Sequence, residues 1–294
     1  MELASHARTQ GFAWGRKSVQ RRLRLTIGGL IILAGAVVML VPLAWMASTS
    51  LKHDGEVFIV PIRWIPTEIH FENYPAALTF VPYALYYRNS VLVTATAMVG
   101  AVASSASVAF AFARLRAPGR DGLFLVLLAT LMLPGEVTLV PVYLIWRNVG
   151  ALDTYIPLVL PSWLGGSAFY IFLLRQFYLT LPLELDDAAK IDGASLLDIF
   201  LRIVVPLSKP ALATVAIFSF FTHWNSFQEP LIYLNTMEKY TLPLGLRFYL
   251  SAMGNAHWNW LMAATLVAIV LPLTVFFVAQ RYFVQGAVLT GLKG

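Results

Sequence analysis

The chain has 294 residues, of which 59% are hydrophobic and 12% are charged, and its mean hydropathy is +0.71. Soluble domains carry about 25% charged residues, so this composition excludes an ordinary soluble protein and indicates an all-α integral membrane protein. The absence of Cys excludes a disulfide framework and thiolate chemistry. The net charge of +6 comes from Lys and Arg dispersed at the ends of apolar stretches, so membrane orientation explains it better than nucleic-acid binding.

About six spans of roughly 20 residues fit into this length. Residues 1–24 are polar and basic, and the apolar stretch that follows, from 25 to about 48, is too long for a signal peptide. We therefore predict an N-terminal arm and then a retained first transmembrane helix. Residues 52–85 contain four prolines and predict a loop. The second span, at about 89–113, is rich in Ala, Ser and Val, and its small residues allow close helix packing in lipid.

The third span is predicted at about 123–145. Pro134 and Pro141 are expected to kink or break it, because proline removes a backbone hydrogen bond and clashes with the preceding turn. Gly165 and Gly166 lie near the middle of the fourth span. The last three spans are predicted at about 157–178, 211–234 and 258–279.

The distribution of basic residues predicts the orientation of these six spans. Of the 21 Lys and Arg residues, 15 lie on the side that carries both termini. The side richer in Lys and Arg is normally cytoplasmic. We therefore expect a multi-pass transmembrane domain at 25–281, with a cytoplasmic arm before it and a cytoplasmic tail at 282–294.

The longest polar interruption in the C-terminal two-thirds of the chain lies between the fourth and fifth spans, at 181–210. Glu184, Asp186 and Asp187 suit the first turn of a helix, where negative charge meets the positive end of the helix dipole. Asp186 and Lys190 are four residues apart, so an ion pair is expected between them on one face.

A second short helix is expected after Gly193, which suits the left-handed position that ends a helix. Ser195 can cap this second helix, and Asp198 three residues later approximates a capping box. Asp198 and Arg202 have the spacing of another ion pair. Two prolines are expected to end the helix: Pro206 and Pro210.

This stretch resembles the coupling-loop signature of ABC importer permeases, in which an E-A-A triplet precedes a glycine and an I-x-L-P segment. Asp187 stands where Glu is usual, and Val205 where Leu is usual. The resemblance implies that the two helices lie on the cytoplasmic surface and dock into a cleft on an ATPase subunit. The residues that it assigns to the coupling loop (residues 182–206) are Glu184, Asp187, Ala188, Ala189, Asp192, Gly193, Ile203 and Pro206.

Catalytic motifs find little support in the sequence. No Lys follows a Gly, so the phosphate-binding pattern G-x-x-x-x-G-K is absent, and the five His lack metal-binding spacing. We therefore expect a transporter subunit without a cofactor of its own, with ATP and Mg²⁺ on a partner chain. The alternative from another class is an intramembrane serine protease, since Ser167 follows two glycines inside one span and His223 lies in another.

The fifth span carries a group of polar residues. Asn225 and Glu229 are four residues apart, as are Trp224 and Gln228, so a continuous helix would place them on one broad stripe. Polar side chains in lipid usually face the bundle interior or an aqueous pathway, and an aromatic ring beside amide and carboxylate groups suits a sugar. Trp224, Asn225 and Glu229 are therefore predicted to line a substrate pathway. Interhelical hydrogen bonding is the alternative interpretation.

Further motifs extend the resemblance to the carbohydrate-uptake group of these permeases, and in particular to the second permease subunit of maltose-type transporters. It implies an importer of oligosaccharides or related carbohydrates in a bacterial inner membrane. The implied partners are a different second permease, two ATPase subunits and an extracytoplasmic solute-binding protein. A permease for glycerol phosphate or another sugar derivative is the alternative. The motifs lie at 64–66, 72–74, 133–137, 141–143, 152–155, 224–227, 280–283 and 291–294.

Overall fold

The computed structural model describes the backbone of residues 3–251 and 256–291, and the side chains of 24–250 and 256–280. Within these ranges the regular structure is helical, and no strand occurs in them. The helices are α1 (Leu3–Ser50), α2 (Asn73–Phe80), α3 (Tyr83–Arg114), α4 (Arg120–Ala129), α5 (Gly135–Asn148), α6 (Ile156–Trp163), α7 (Ala168–Tyr178), α8 (Glu184–Ile191), α9 (Leu196–Asp198), α10 (Val205–Leu207), α11 (Lys209–Trp224), α12 (Gln228–Tyr233), α13 (Leu242–Leu246), α14 (Phe248–Ser251), α15 (Trp258–Ala268) and α16 (Val270–Gly291).

Four stretches are long and apolar enough to cross a membrane, and there are six if each of two bent helix pairs counts as one span. Six is the number expected from the sequence. The bend is 102° between Arg120–Met132 and Gly135–Asn148, and 80° between Leu196–Leu207 and Lys209–Trp224. The four straight candidates are Arg24–Ser50, Tyr83–Arg114, Ile156–Tyr178 and Trp258–Gln280.

The first span belongs to α1, which continues without a break from Leu3. Most of its apolar surface is uncovered by the rest of the chain, and only the last turn packs against other elements. Lys52 anchors that end, because its fully buried ammonium donates to the Arg63 carbonyl over 2.6 Å and lies 4.0 Å from the Trp45 ring centre. The Asn73 amide adds hydrogen bonds of 2.9 Å to the carbonyls of Ser50 and Lys52.

The centre of the fold is α3, which packs against α6, α7 and α11. Its small residues allow this, as the sequence predicted. At Gly100 a Cβ atom would lie 2.3 Å from the Trp163 ring, so only glycine admits the indole of α6 there. The Trp163 Nε1–H then donates to the Thr96 carbonyl over 3.1 Å. Close packing and a hydrogen bond therefore fix α6 against α3.

The predicted break in the third span is present, and the fourth span has a break that was not predicted. The α4–α5 bend lies at Leu133 and Pro134, whereas Pro141 lies inside α5 without ending it. The α6–α7 break contains Gly165 and Gly166, at φ angles of 131° and 62° that favour glycine.

The fifth span differs from the prediction of one continuous helix over 211–234. Instead α11 ends at Trp224, a short non-helical link follows, and α12 begins at Gln228. Pro230 explains the interruption, since its ring clashes with the carbonyl four residues earlier but is tolerated in the first turn of a new helix. Asn225 also favours the interruption, because its side-chain N–H donates to the Phe221 carbonyl over 2.9 Å.

Candidate functional site

The coupling loop begins with α8, which the sequence predicted correctly from its local signals. Glu184, Asp186 and Asp187 occupy its first turn. Gly193 follows its end at φ +80°, the left-handed conformation expected there. The helix therefore starts and stops where its own residues dictate.

The second part of the loop also forms as expected at its start. The Asp198 N–H donates to Ser195 Oγ, and the Ser195 N–H donates to Asp198 Oδ2, each over 3.2 Å, which completes the capping box. Arg202 Nε lies 3.2 Å from Asp198 Oδ1, so the second predicted ion pair is present. A π-helical segment, Ile199–Val204, joins α9 to α10.

The predicted end of this second helix is wrong. Pro206 lies inside α10 and Pro210 lies in the first turn of α11, so the helix ends at Leu207 between them. Pro210 occupies the first turn of α11, where the missing N–H has no helical partner to lose. Pro206 lies in the last turn of a continuous helical stretch, Leu196–Leu207, directly after the π-helical segment, so only Pro210 begins a helix.

The expected pair between Asp186 and Lys190 is also wrong. Lys190 pairs instead with Asp187, at 2.9 Å. Asp186 turns inward and is 6% exposed, with its Oδ2 3.3 Å from Arg114 Nε at the end of α3. The Arg114 Nη2–H donates to the Leu181 carbonyl over 3.0 Å, so one guanidinium holds the entry to α8 at two points. No spacing pattern in the sequence predicts this link.

The residues assigned to ATPase docking lie mainly on the accessible side of the loop. Glu184, Asp187, Ala188, Asp192, Gly193 and Pro206 are exposed, while Ala189 and Ile203 are half-buried. Ala189 packs against the core that contains α3 and α7. Large apolar side chains are exposed among these acids, and Ile191 is 87% exposed. The loop thus presents an acidic and apolar surface whose other side packs against the core.

A second candidate site is a cleft of about 320 Å³ between α5, α6 and α12. Glu229, from the polar group predicted in the fifth span, lines it together with Gln228. Glu136 and Trp146 contribute from α5. The predicted stripe does not form, however, because α11 ends at Trp224 and Glu229 belongs to a separate helix, α12.

The other two residues predicted for the pathway lie elsewhere. Trp224 is 5% exposed and packs against Phe220 at 5.8 Å and Tyr87 at 5.5 Å, measured between ring centres. Asn225 is exposed at the end of α11, and its amide serves the helix backbone. The structure therefore places Glu229 in the cleft, Trp224 in the core and Asn225 at the break between them.

At one rim of the cleft, Asp153 in the turn before α6 forms hydrogen bonds to the segment that follows α12. Its Oδ1 accepts the N–H groups of Asn235 and Thr236, each over 2.9 Å, and its Oδ2 lies 2.8 Å from Lys239 Nζ. The Asp153 N–H donates to the Tyr233 carbonyl over 2.8 Å. The Lys239 ammonium, followed by the Thr236 hydroxyl and the amide donors, holds the pKa of Asp153 far below its usual range. We call this cluster the rim bridge.

Ser167 and His223, the pair expected for the protease alternative, bond to other residues. Ser167 caps α7, accepting the Phe169 N–H over 3.3 Å, and it is Ser162 that lies 3.1 Å from His223 Nε2. The His223 Nδ1–H donates to the Ser219 carbonyl over 2.8 Å, so Nε2 is the acceptor toward Ser162. The described residues also hold no cluster of three or more side chains that could bind a metal.

Comparison with known proteins adds several relatives. The chain is 30% identical over 95% of its length to the diacetylchitobiose uptake system permease protein DasC of Streptomyces coelicolor, all of which it covers. It is 34% identical to the sn-glycerol-3-phosphate permease UgpE of Yersinia enterocolitica, over 88% of this chain and 94% of that one. It is also 34% identical to the arabinooligosaccharide permease AraQ of Halalkalibacterium halodurans, over 92% of this chain and 96% of that one.

The fold is that of a solved bacterial ABC transporter chain. The TM-score is 0.77 against a structure of an importer of the polysaccharide alginate, with 23% identity over 89% of this chain and 97% of that one. The relatives are permease subunits of transport systems, not enzymes. Residues 98–288 match the model of one family of permeases. The chain therefore belongs to the family of binding-protein-dependent transport system inner membrane components.

Proposed function

We propose that this chain is one of two different permease subunits of an ATP-driven importer for oligosaccharides or related carbohydrates. Support comes from full-length similarity to permeases named for diacetylchitobiose and arabinooligosaccharides. The observation that carries the transport role is the coupling loop, whose capping box at α9 and left-handed Gly193 match the expectations drawn from its residues. Glycerol phosphate is the second candidate substrate, because UgpE is equally similar to the chain.

The coupling loop is proposed to dock an ATPase subunit from the cytoplasm. Its exposed apolar side chains, among them Ile191, suit burial in a partner's cleft, and exposed acids such as Glu184 and Asp187 suit basic groups around it. Closure of the ATPases would push on α8, and the buried pair of Arg114 and Asp186 would transmit this motion to α3. Such coupling requires the partner to bind the inward-facing and outward-facing states with different free energies.

The same proposal specifies the partner subunits and the orientation of the chain in the membrane. Two ATPase subunits would bind ATP and Mg²⁺, the second permease would complete the pathway, and an extracytoplasmic binding protein would deliver substrate. Both termini would face the cytoplasm, as the basic residues indicate. Glu229 would contact substrate in the cleft, and Trp224 and Asn225 would support the pathway at the break between α11 and α12.

The test is transport by the complex reconstituted from this chain, the second permease, the ATPases and the binding protein in proteoliposomes. We expect ATP-dependent uptake of a labelled neutral oligosaccharide and none of sn-glycerol 3-phosphate. Uptake of glycerol phosphate alone would establish the second candidate. A complex that hydrolyses ATP in response to its loaded binding protein yet accumulates neither compound would contradict both substrate assignments.

A further inference from the structure

The cleft between α5, α6 and α12 has features of a ligand site. Its volume of about 320 Å³ falls within the range of small-molecule sites in proteins. Glu136 and Trp146 lie ten residues apart on α5, so the wall that they mark is about 15 Å long at the rise of an α-helix.

The charged side chains that line the cleft are all acidic. Glu136 and Glu229 both line it and are exposed, and neither forms an ion pair with the side chains that the structure describes. The lining contains no Lys, Arg or His. Lys239 lies at the rim, but its ammonium already contacts both the carbonyl and the carboxylate of Asp153. Ser226 supplies one hydroxyl to Glu229, at 2.9 Å, which leaves the charge in place.

The rest of the lining suits a ring with hydroxyl groups. Gln228 offers an amide beside the carboxylates, whereas Pro157 and Pro161 offer apolar surface from α6. Trp146 adds an aromatic wall, and its Nε1 is buried without a hydrogen-bond partner within the described structure. Buried donors are usually satisfied, so a nearby acceptor from a ligand would complete this wall.

We propose that this cleft is a substrate subsite that accepts neutral or cationic saccharides and rejects anionic ones that carry phosphate or carboxylate. The proposal rests on the function proposed above, that of an importer subunit, and it separates the substrate classes of the relatives. An anion placed several ångströms from each carboxylate meets repulsion from both, and no basic lining residue offsets it. A neutral sugar loses nothing from these charges and uses the carboxylates as hydrogen-bond acceptors.

The test uses the absence of Cys, which lets one introduced thiol report the local potential. Thr138 lines the cleft, and its hydroxyl bonds only to the Gly135 carbonyl of its own helix, so Thr138→Cys disturbs little. The complete complex in nanodiscs is treated with two methanethiosulfonates of similar size, one with a trimethylammonium group and one with a sulfonate. Labelling of this chain is measured after its separation from the partners. Val140→Cys, on α5 but outside the cleft lining, is the matched control.

We expect the cationic reagent to modify Thr138→Cys about tenfold faster, relative to the anionic one, than it modifies Val140→Cys. Adding Glu136→Gln or Glu229→Gln should reduce this ratio several-fold, and the double replacement should bring it close to the control. A ratio already equal to that of the control overturns the proposal. So does a ratio that neither Gln replacement changes, or a thiol in the complex that neither reagent reaches.

A second measurement connects the cleft to substrate. Neutral oligosaccharide added with binding protein and ATP should slow the labelling of Thr138→Cys, whereas a phosphorylated sugar at the same concentration should not. If the phosphorylated sugar protects the thiol, the rejection of anions is wrong. If the complex transports no oligosaccharide but the labelling ratio follows both carboxylates, the proposed function fails while the charge selection of the cleft stands.

Discussion

Arg114 and Asp186 form an ion pair at the junction of α3 and α8, with side chains only 4% and 8% exposed. It joins the longest core helix to the first helix of the coupling loop. An exposed ion pair at this position would contribute little, but a buried one is costly to break because the remaining charge has no partner. The pair therefore ties the loop's position to that of the core.

Replacing Asp186 by Asn should destabilise the protein by about 3–5 kcal/mol, because the buried Arg114 guanidinium loses its counter-charge. We expect a lower thermal midpoint of the detergent-purified subunit and reduced substrate-stimulated ATP hydrolysis in the complex. The control is Arg202→Met on the same loop, which removes an ion pair whose arginine is 80% exposed and should change stability by less than about 1 kcal/mol.

The combined replacement Arg114→Met with Asp186→Leu separates charge from packing. It removes both charges, so it should cost less stability than Asp186→Asn alone. If the double variant is less stable than both the parent and Asp186→Asn, the hydrogen bond from Arg114 to the Leu181 carbonyl contributes more to stability than the ion pair does.

Replacing Gly193 by Leu should release the ATPase. A side chain at φ +80° costs about 1–2 kcal/mol, so the corner between α8 and α9 would change its angle. Gly119→Leu is a matched control, since Gly119 has φ +77° and equally open surroundings but lies outside the coupling loop. Copurification of the ATPase should fail only for the Gly193 variant. Equal retention by both variants would show that the corner does not position a docking surface.

The rim bridge should make the free energy of unfolding depend on pH in the acidic range. The folded-state pKa of Asp153 lies below the usual value of about 3.9, so its stabilising contribution is complete above about pH 5 and is lost as the pH falls through the folded pKa. Asp153→Asn should cost about 1–2 kcal/mol at neutral pH, and the difference from the parent should shrink toward pH 3. Thermal midpoints from pH 3 to pH 8 measure this. A constant difference over that range would exclude the carboxylate's charge as the cause.

Single cysteines test the proposed orientation. Ser195→Cys in the coupling loop should resist an impermeant thiol reagent added outside intact cells, and Thr67→Cys, in the segment between α1 and α2, should react. Both positions are exposed, so access depends on the side of the membrane. Permeabilised cells should label both variants, which controls for reactivity. The opposite pattern in intact cells would reverse the orientation.

Local chemistry made the coupling loop predictable. The acidic first turn, Gly193 and the Ser195 capping box depend on residues within a few positions of one another, and all are present. The partner of Asp186 was not predictable in this way, because Arg114 is distant in the chain and only tertiary packing brings the two together. The i,i+4 rule describes an exposed helix, and it failed where the helix face was buried.

The polar cleft was only partly predictable for a related reason. Glu229 was identified as a pathway residue from its cost in lipid, yet the stripe with Trp224 required a helix that Pro230 does not allow. The proline was the available signal for the break. Glu136 and Trp146 belong to the third span, and no spacing rule connects them to α12. Their meeting depends on the 102° bend before α5.

The rim bridge has a mechanical consequence for the cleft. Asp153 ties the turn before α6 to the end of α12, and Tyr143 of α5 stacks on Tyr233 at 6.4 Å with the rings 8° from parallel. The three walls of the cleft, α5, α6 and α12, are thus joined to one another and do not separate independently. In the proposed importer the cleft would therefore move as one rigid unit, and its charge would be the same in every state of the transport cycle. Charge discrimination at the cleft would then not depend on ATP hydrolysis by the proposed partner.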